Sequence, residues 1–315
     1  GELNLTVIDT YVYDVSSKRM KMVPLKISPA FGKVFDEILV NAIDHAQRDS
    51  SLDYIGVYID PKTQYISITN TGAGIPIEIH KEHKMYIPEF VFTQFDTGSN
   101  FDEKIRRTGG MYGEGAKYTV WTSEHFRIET VDENKGLKYI QDVYNHGTQI
   151  SKPVITKTDE RSHTTISYKP DLSIFKMRSF NKHAMLAIER RGYDASAWLA
   201  ERKIKITLND KDLSLKSFED YVSLFVGPKV ETPRTYGTIE GIGDYFIALN
   251  NTGSDSLQQI SFVNGVSTIE GGSHVNAVAN SIYRGILNKY KTTRTLSKHV
   301  DHIKDAFIKK NIFIF

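Results

Sequence analysis

The segment from Lys33 to Arg48 constrains the fold most, because its apolar residues recur with a helical period and it contains no Gly or Pro. On a helix its apolar side chains would share one arc and face a core: Val34, Phe35, Ile38, Leu39 and Ala42. Two strand-like runs follow at 52–59 and 65–69, with the turn sequence Asp60-Pro61-Lys62-Thr63 between them. A helix followed by paired strands predicts a sheet with helices packed against it.

The rest of the chain alternates between strand and helix patterns and has no repeat of fixed period. Further strands are predicted at 126–130, 137–140, 164–168, 203–208 and 259–263. Helices are predicted from Asp171, where Lys169-Pro170 stops the sheet, to about Leu199, and from Ser273 to Tyr290. We therefore predict the α/β class, as two layered units in tandem with a boundary near residue 185.

Composition excludes several functional classes. Of the 315 residues, 40% are hydrophobic and 25% are charged, which is typical of a globular chain with a substantial core. The net charge of +2 gives no overall attraction for polyanions, so any basic surface must be local. The absence of Cys excludes disulfides, thiolate zinc sites and cysteine nucleophiles, and it suits an intracellular protein. No apolar run approaches the roughly 18 residues of a membrane span, and the N-terminus lacks a signal-peptide pattern.

The predicted helix carries the first chemically informative group of residues. Glu37, Asn41, Asp44 and Arg48 would lie within about 60° of one another on one face. Such a face presents a carboxylate base, an amide for a metal ion and a second carboxylate to one ligand. A solvated polar face of an amphipathic helix has the same pattern. An Asn at a helix centre is unfavourable by propensity, which favours the functional interpretation slightly.

The second group lies where the strand at 65–69 runs into a turn. Asn70 is followed by Gly72 and Gly74, and glycines let the backbone approach a flat ligand. A carboxamide can pair bidentately with the exocyclic amine and a ring nitrogen of adenine. An ordinary exit from a strand into a turn explains the same residues.

The third group is a glycine-rich segment that leads into a predicted helix. It contains four glycines in seven residues, from Gly109 to Gly115, and is preceded by the polar segment Asp96–Phe101. Backbone N–H groups in such a loop can surround phosphate, and Lys117 would add a positive charge. The Walker A order of residues is absent. A mobile surface loop is the alternative.

The order of these three groups resembles the GHKL ATPase superfamily, which includes DNA gyrase and histidine kinases. The closer resemblance is to the ATPase region of type IIA DNA topoisomerases of eukaryotic or viral type, and it covers nearly the whole chain. Stretches outside the three groups that carry it are 34–42, 83–88, 169–177, 258–264 and, in the transducer, Gly271-Gly272-Ser273-His274-Val275. The resemblance implies a Bergerat-type ATP-binding α/β sandwich at 1–185 and a transducer domain of ribosomal S5-like fold at 186–315.

The resemblance also implies roles for individual residues. Glu37 would be the general base for the attacking water, Asn41 would hold Mg²⁺ on the phosphates, and Asn70 would read adenine. Asp44 and Arg48 would support the pocket. Ser99 and Asn100 match a ribose and phosphate contact. The remaining ATP-contacting positions that it implies are Gly74, Ile75, Gly110, Tyr112, Gly113, Gly115, Ala116 and Lys117.

For the parent protein, the resemblance implies a homodimer that uses ATP to close on DNA and pass it through a break in another duplex. It implies an intracellular location: the nucleus for a cellular enzyme, the host cell for a viral one. Basic residues would contact DNA phosphates without reading the base sequence. The candidates are Lys289, Lys291, Arg294, Lys298, Lys304, Lys309 and Lys310. A solvated helix face is the alternative explanation of this basic series.

The chain departs from the family pattern in its phosphate loop. Met111-Tyr112 stand where close relatives tend to have Arg-Asn, and Glu114 replaces a neutral residue. The chain begins without Met and ends on an apolar run, so we expect a fragment. The resemblance implies that this fragment lacks an N-terminal strap and the transducer loop with its Gln and Lys. Such a fragment would hydrolyse ATP weakly. The alternative function is a non-hydrolysing nucleotide switch or scaffold. A histidine kinase is disfavoured because a transducer-like domain follows.

Overall fold

A computed structural model describes residues 2–94, 115–241 and 243–315. They form two compact units, Gly1–Phe218 and Glu219–Phe315. The units divide later in the chain than the boundary predicted near residue 185, because the helix that contains residue 185 packs on elements of the first unit. Within the described residues, no helix has the length and apolar character needed to cross a membrane.

The first unit opens with a hairpin that was not predicted, formed by β1 (Thr6–Asp14) and β2 (Arg19–Ile27). Helix α1 (Pro29–Arg48) follows and begins four residues before the predicted start at Lys33. Its start is set by Ser28, whose hydroxyl accepts a hydrogen bond from the Phe31 N–H at 3.4 Å. Proline at the first helical position needs no N–H partner, so the helix begins there.

The remaining elements of the first unit build one large mixed sheet and the helices beside it. In chain order they are β3 (Tyr54–Asp60), β4 (Tyr65–Thr71), α2 (Ile87–Thr93), α3 (Gly115–Trp121), β5 (Ser123–Asp132), β6 (Leu137–Tyr144), β7 (Gln149–Ile150), β8 (Val154–Lys157), β9 (His163–Pro170), α4 (Lys182–Leu199), β10 (Lys205–Leu208) and β11 (Lys211–Asp212). The sheet order is β11-β10-β3-β4-β9-β5-β6-β7, with β8 also paired to β6. The predicted helix from Asp171 begins instead at Lys182, because the Asn181 side chain caps it through the Ala184 N–H.

The two faces of this sheet differ in polarity. On one face Ile66 and Ile68 of β4 are buried, and α1 packs against this strand with Leu39 and Ile43 fully buried. On the other face hydroxyls pair across β4 and β9, as between Ser67 and Ser167 at 2.8 Å. One face is therefore covered by helices and the other is polar. Asn70 lies on the covered face, where its neighbours along β4 are apolar.

The second unit is a smaller α/β unit. Its elements are α5 (Phe218–Val226), β12 (Arg234–Ile239), β13 (Gly243–Leu249), β14 (Gln258–Gln259), β15 (Phe262–Val263), β16 (Val266–Ser267), α6 (Ser273–Thr292), α7 (Asp305–Lys310) and β17 (Ile312–Ile314). A four-stranded sheet has the order β12-β13-β17-β14, and α6 packs its buried Val275 and Ala279 with Ile312 and Ile314. The single strand predicted at 259–263 is divided between β14 and β15, which belong to different sheets.

Candidate functional site

The structure describes nine of the predicted site residues: Glu37, Asn41, Asp44, Asn70, Gly74, Ile75, Gly115, Ala116 and Lys117. The other five lie outside the described residues: Ser99, Asn100, Gly110, Tyr112 and Gly113. The departures from the family pattern at Met111 and Glu114 lie outside them as well. The predicted roles of these seven positions therefore stay predictions.

Helix α1 presents Glu37 toward the beginning of α3. The Glu37 side chain is 18% exposed, and its Oε1 lies 2.5 Å from Lys33 Nζ one turn earlier. Its Oε2 lies against Gly115, so closely that a Cβ atom at that position would overlap the carboxylate. Asn41, one turn further along α1, is exposed. The carboxylate and the amide predicted from the sequence thus share a face, and Gly115, the last residue of the glycine-rich segment, lies beside Glu37.

Asp44 and Lys117 are enclosed by protein. Asp44 is only 3% exposed, although the helical pattern places it on the face of Glu37 and Asn41. Lys117 is fully buried in α3, which is held to α1 by a 3.0 Å hydrogen bond from the Thr119 hydroxyl to the Val34 carbonyl. Buried charged groups need compensating partners, so both side chains must be paired within the protein. The supporting role of Asp44 stays a prediction. A contact between Lys117 and phosphate stays a prediction.

Asn70 begins a short row of polar side chains across the covered face of the sheet. It pairs in register with Thr164 of β9, which pairs with Thr130 of β5. All three side chains are nearly buried, and the hydroxyls of Thr130 and Thr164 lie 3.0 Å apart. The Asn70 Nδ2 atom donates to the Thr71 carbonyl at 2.9 Å and lies 3.0 Å from His45 Nδ1. Polar groups on an otherwise apolar face are typical of a ligand site.

The turn after β4 is held by contacts within the protein. The Ala73 N–H donates to Asp49 Oδ2 at 2.6 Å, and the Ile75 N–H donates to the Thr130 hydroxyl at 2.8 Å. Gly74 lies against the Val131 carbonyl, where a side chain would overlap the backbone. Glycine is therefore required at Gly74 by packing against β5. The predicted contacts of Gly74 and Ile75 with a ligand stay predictions.

The electrostatics of the site depend on His45 and Asp49. The Ser51 hydroxyl donates a hydrogen bond to Asp49 at 2.6 Å, and the Ala73 N–H donates another. These hydrogen bonds lower the pKa of Asp49 to about 2. His45 Nε2 lies 3.2 Å from Asp49 Oδ2, yet burial of the imidazole lowers the pKa of His45 and outweighs the attraction of this carboxylate. At neutral pH the pair is therefore an ionised carboxylate beside a neutral imidazole.

Sequence reasoning missed His45, Asp49, Thr130 and Thr164. His45 follows Asn41 by four residues, so it lies on the same ridge of α1, and that spacing could have identified it. The two threonines carried no such signal, because their place beside Asn70 depends on the pairing of β4, β9 and β5.

The described residues contain one cluster of metal-ligating groups, and it lies away from Asn41. Glu129, Glu160 and His163 have ligand atoms within 4.8 Å of one another. Lys138 Nζ is 3.0 Å from carboxylate oxygens of both Glu129 and Glu160, so an ammonium already pairs with the two carboxylates. Glu129 also alternates with Thr130 along β5 and so lies on the opposite face of the sheet. This cluster is an ion-pair network on the polar face.

Comparisons with known families cover both units. Residues 27–165 match the family "Histidine kinase-, DNA gyrase B-, and HSP90-like ATPase", and residues 217–315 match "DNA gyrase B". The first match contains α1 and β4, and it assigns them to a nucleotide-binding ATPase domain.

Similar proteins were found among curated sequences and solved structures. DNA topoisomerase 2 of Candida glabrata is 36% identical over 330 residues, which cover 100% of this chain and 23% of that protein. The Arabidopsis thaliana enzyme is 37% identical over 88% of this chain and 19% of its own length. The chain thus spans about a fifth of the length of these relatives.

Two solved structures extend the similarity to the fold. The ATPase region of Saccharomyces cerevisiae topoisomerase II, bound to dexrazoxane, has a TM-score of 0.88 and 35% identity over 100% of this chain and 80% of that one. The ATPase and transducer domains of the Balamuthia mandrillaris enzyme have a TM-score of 0.90 and 30% identity over 100% of this chain and 79% of that one. The predicted α/β fold class and the predicted resemblance are confirmed.

Proposed function

This chain belongs to the family of ATPase regions of type II DNA topoisomerases, and on that premise we propose that it binds ATP with Mg²⁺ and hydrolyses the nucleotide. Glu37 is the general base and Asn41 is the protein ligand of Mg²⁺. The contact between Glu37 Oε2 and Gly115 carries the proposal, since it places a carboxylate beside the segment expected to surround the phosphates.

The geometry of Glu37 suits proton abstraction from water. Lys33 holds one carboxylate oxygen at 2.5 Å, and the other oxygen is directed toward the beginning of α3. A water molecule between this second oxygen and the γ-phosphorus would be oriented for in-line attack, and Glu37 would accept its proton. Positioning of this kind, together with charge stabilisation, is the main source of catalysis in phosphoryl transfer.

Asn41 fits the requirements of Mg²⁺. Its side chain is exposed, whereas Asp44 of the same face is buried and faces protein. Mg²⁺ usually keeps several waters and takes few protein oxygens besides those of the phosphates, so one carboxamide oxygen is sufficient. When bound, the ion would neutralise charge on the phosphate oxygens.

The other end of the nucleotide would lie against the polar row on the covered face of the sheet. Asn70 is the base-reading residue of this proposal, with Thr164 beside it in register. Ser99 and Asn100 would contact ribose and phosphate. Gly110, Tyr112, Gly113, Gly115, Ala116 and Lys117 would complete the phosphate site.

The relatives carry the name DNA topoisomerase 2, and we propose that activity for the whole protein. The family resemblance adds ATP-driven closure of a homodimer on DNA, followed by strand passage in the nucleus. In the basic series of the second unit, Lys289, Lys291, Arg294, Lys298 and Lys304 are exposed. Lys309 and Lys310 are half-buried and lie 2.7 Å and 3.7 Å from Asp305 and Asp255. The exposed five are therefore the better candidates for phosphate contacts of DNA.

Calorimetry with a non-hydrolysable ATP analogue, together with single-turnover phosphate release, tests the proposal. Glu37→Gln should bind the analogue normally and lose about 10² to 10⁴ in hydrolysis rate. Asn41→Ala should weaken Mg²⁺-dependent binding itself. Glu124→Gln, which removes an exposed carboxylate on β5, is the matched control and should change neither. Analogue binding with no hydrolysis by the whole protein would favour the non-hydrolysing switch instead.

A further inference from the structure

The Asn70 carboxamide has both of its N–H groups committed within the protein. Its Nδ2 atom lies 2.9 Å from the Thr71 carbonyl oxygen and 3.0 Å from His45 Nδ1. A carboxamide nitrogen carries two hydrogens, so these two contacts use its full donor capacity. Asn70 is 7% exposed, and no group among the described residues donates to its Oδ1.

The direction of these hydrogen bonds follows from the groups at the two ends. The Thr71 carbonyl can only accept, so the carboxamide atom facing it must be the nitrogen. His45 Nδ1 must then accept the second hydrogen, which leaves the imidazole proton on Nε2. That proton faces Asp49 Oδ2 at 3.2 Å, and a carboxylate oxygen can only accept. The bonds therefore run from Asn70 to His45 and from His45 to Asp49.

The carboxylate at the end of this series is itself held in place. Asp49 accepts from the Ser51 N–H at 2.8 Å, from the Ser51 hydroxyl at 2.6 Å and from the Ala73 N–H at 2.6 Å. The charged groups near His45 are Asp49 and Arg48 at the end of α1, while the facing group from β4 is the uncharged Asn70. Burial lowers the pKa of His45, so the imidazole is in its accepting, neutral form at neutral pH.

We propose that His45 is a positioning residue that restricts Asn70 to accepting a hydrogen bond, so that the site selects purines with an amine at C6 over purines with a carbonyl there. This proposal rests on nucleotide binding at the proposed site. It also replaces the bidentate amide–adenine pairing expected from the sequence, because Nδ2 has no hydrogen left for a ring nitrogen. The C6 amine of adenine has a hydrogen for Oδ1, whereas the C6 oxygen of hypoxanthine would face it as a second acceptor.

A series of triphosphates tests the unaltered chain by calorimetry in the presence of Mg²⁺. Purine riboside triphosphate lacks any group at C6 and should bind about 3- to 10-fold more weakly than ATP. Inosine triphosphate should bind roughly 10- to 100-fold more weakly, because two acceptors would be left facing each other. Equal affinities for ATP and inosine triphosphate would overturn the inference and leave the proposed function intact. An absence of binding by every triphosphate would overturn both.

Variants of His45 separate positioning from a general structural effect. His45→Leu removes the acceptor, so the amide can rotate, and the preference for ATP over inosine triphosphate should fall about tenfold. His45→Asn keeps an oxygen close to the place of Nδ1 and should retain most of the preference. His125→Leu is the matched control, since His125 also bonds an aspartate, Asp142 at 2.7 Å, on the polar face of the sheet. The preference of the His125→Leu protein for ATP over inosine triphosphate should be unchanged. An equal loss of affinity for ATP and for inosine triphosphate in His45→Leu would mean that His45 only supports the fold.

Discussion

Replacement of Gly115 by alanine separates the stability of the protein from the function of Glu37. Gly115 is the first residue of α3, and an added Cβ atom would overlap Glu37 Oε2. The overlapping atoms, Oε2 and Cδ, belong to the end of a flexible side chain, so a change of the Glu37 side-chain rotamer relieves the overlap without moving the backbone. The cost to folding is therefore small, while the carboxylate leaves its position.

The two effects have opposite signs. In a helix, alanine is favoured over glycine by roughly 0.5–1 kcal/mol, so the melting temperature should stay constant or rise slightly. A displacement of about 1 Å at a catalytic group can cost on the order of 10² in rate. We therefore expect Gly115→Ala to be at least as stable as the unaltered protein and to hydrolyse ATP roughly 100-fold more slowly.

Thermal unfolding followed by circular dichroism, with single-turnover phosphate release, measures both effects on the same samples. Gly32→Ala is the matched control, because Gly32 lies in α1 and nothing is within 4 Å of a Cβ atom built there. It should gain stability and keep its hydrolysis rate. A well-folded Gly115→Ala protein with an unchanged rate would refute the placement of Glu37 beside Gly115 or its role as the base.

Three further predictions concern the contacts around the base-reading residue. The pKa of Asp49 is about 2, below its usual value, so its stabilising effect should be present above pH 4 and disappear as the pH falls toward 2. In Asp49→Asn the stability should depend less on pH in that window, as measured by fluorescence during acid unfolding. The pKa of His45 is lowered in the folded protein, so the imidazole takes up a proton more readily in the unfolded state. The free energy of unfolding should therefore decline as the pH falls below about 6.5. Denaturant titrations of His45→Leu should lack this decline. Thr130→Val leaves the Ile75 N–H without its partner and should cost about 1–3 kcal/mol of unfolding free energy, whereas Thr165→Val on the polar face should cost less.

The relative positions of residues that are close together in the sequence could be predicted from the sequence alone. Helical periodicity places Glu37 and Asn41 one turn apart, and this spacing holds whatever α1 packs against. The order of the three residue groups was enough to indicate the family, which the comparisons bear out. Burial, by contrast, depends on what covers each side of the helix, so periodicity could not distinguish buried Asp44 from exposed Asn41.

Tertiary structure decided the contacts between distant residues. His45 meets Asn70 across 25 residues of chain, Asp49 meets Ala73 across 24, and Thr130 meets Ile75 across 55. These contacts depend on strand register and on the packing of α1 against β4, neither of which a local pattern determines. The sequence by itself therefore determined which side chains α1 offers to a ligand. The hydrogen-bonding direction of Asn70 depends on a partner from another element, so only the folded chain decided it.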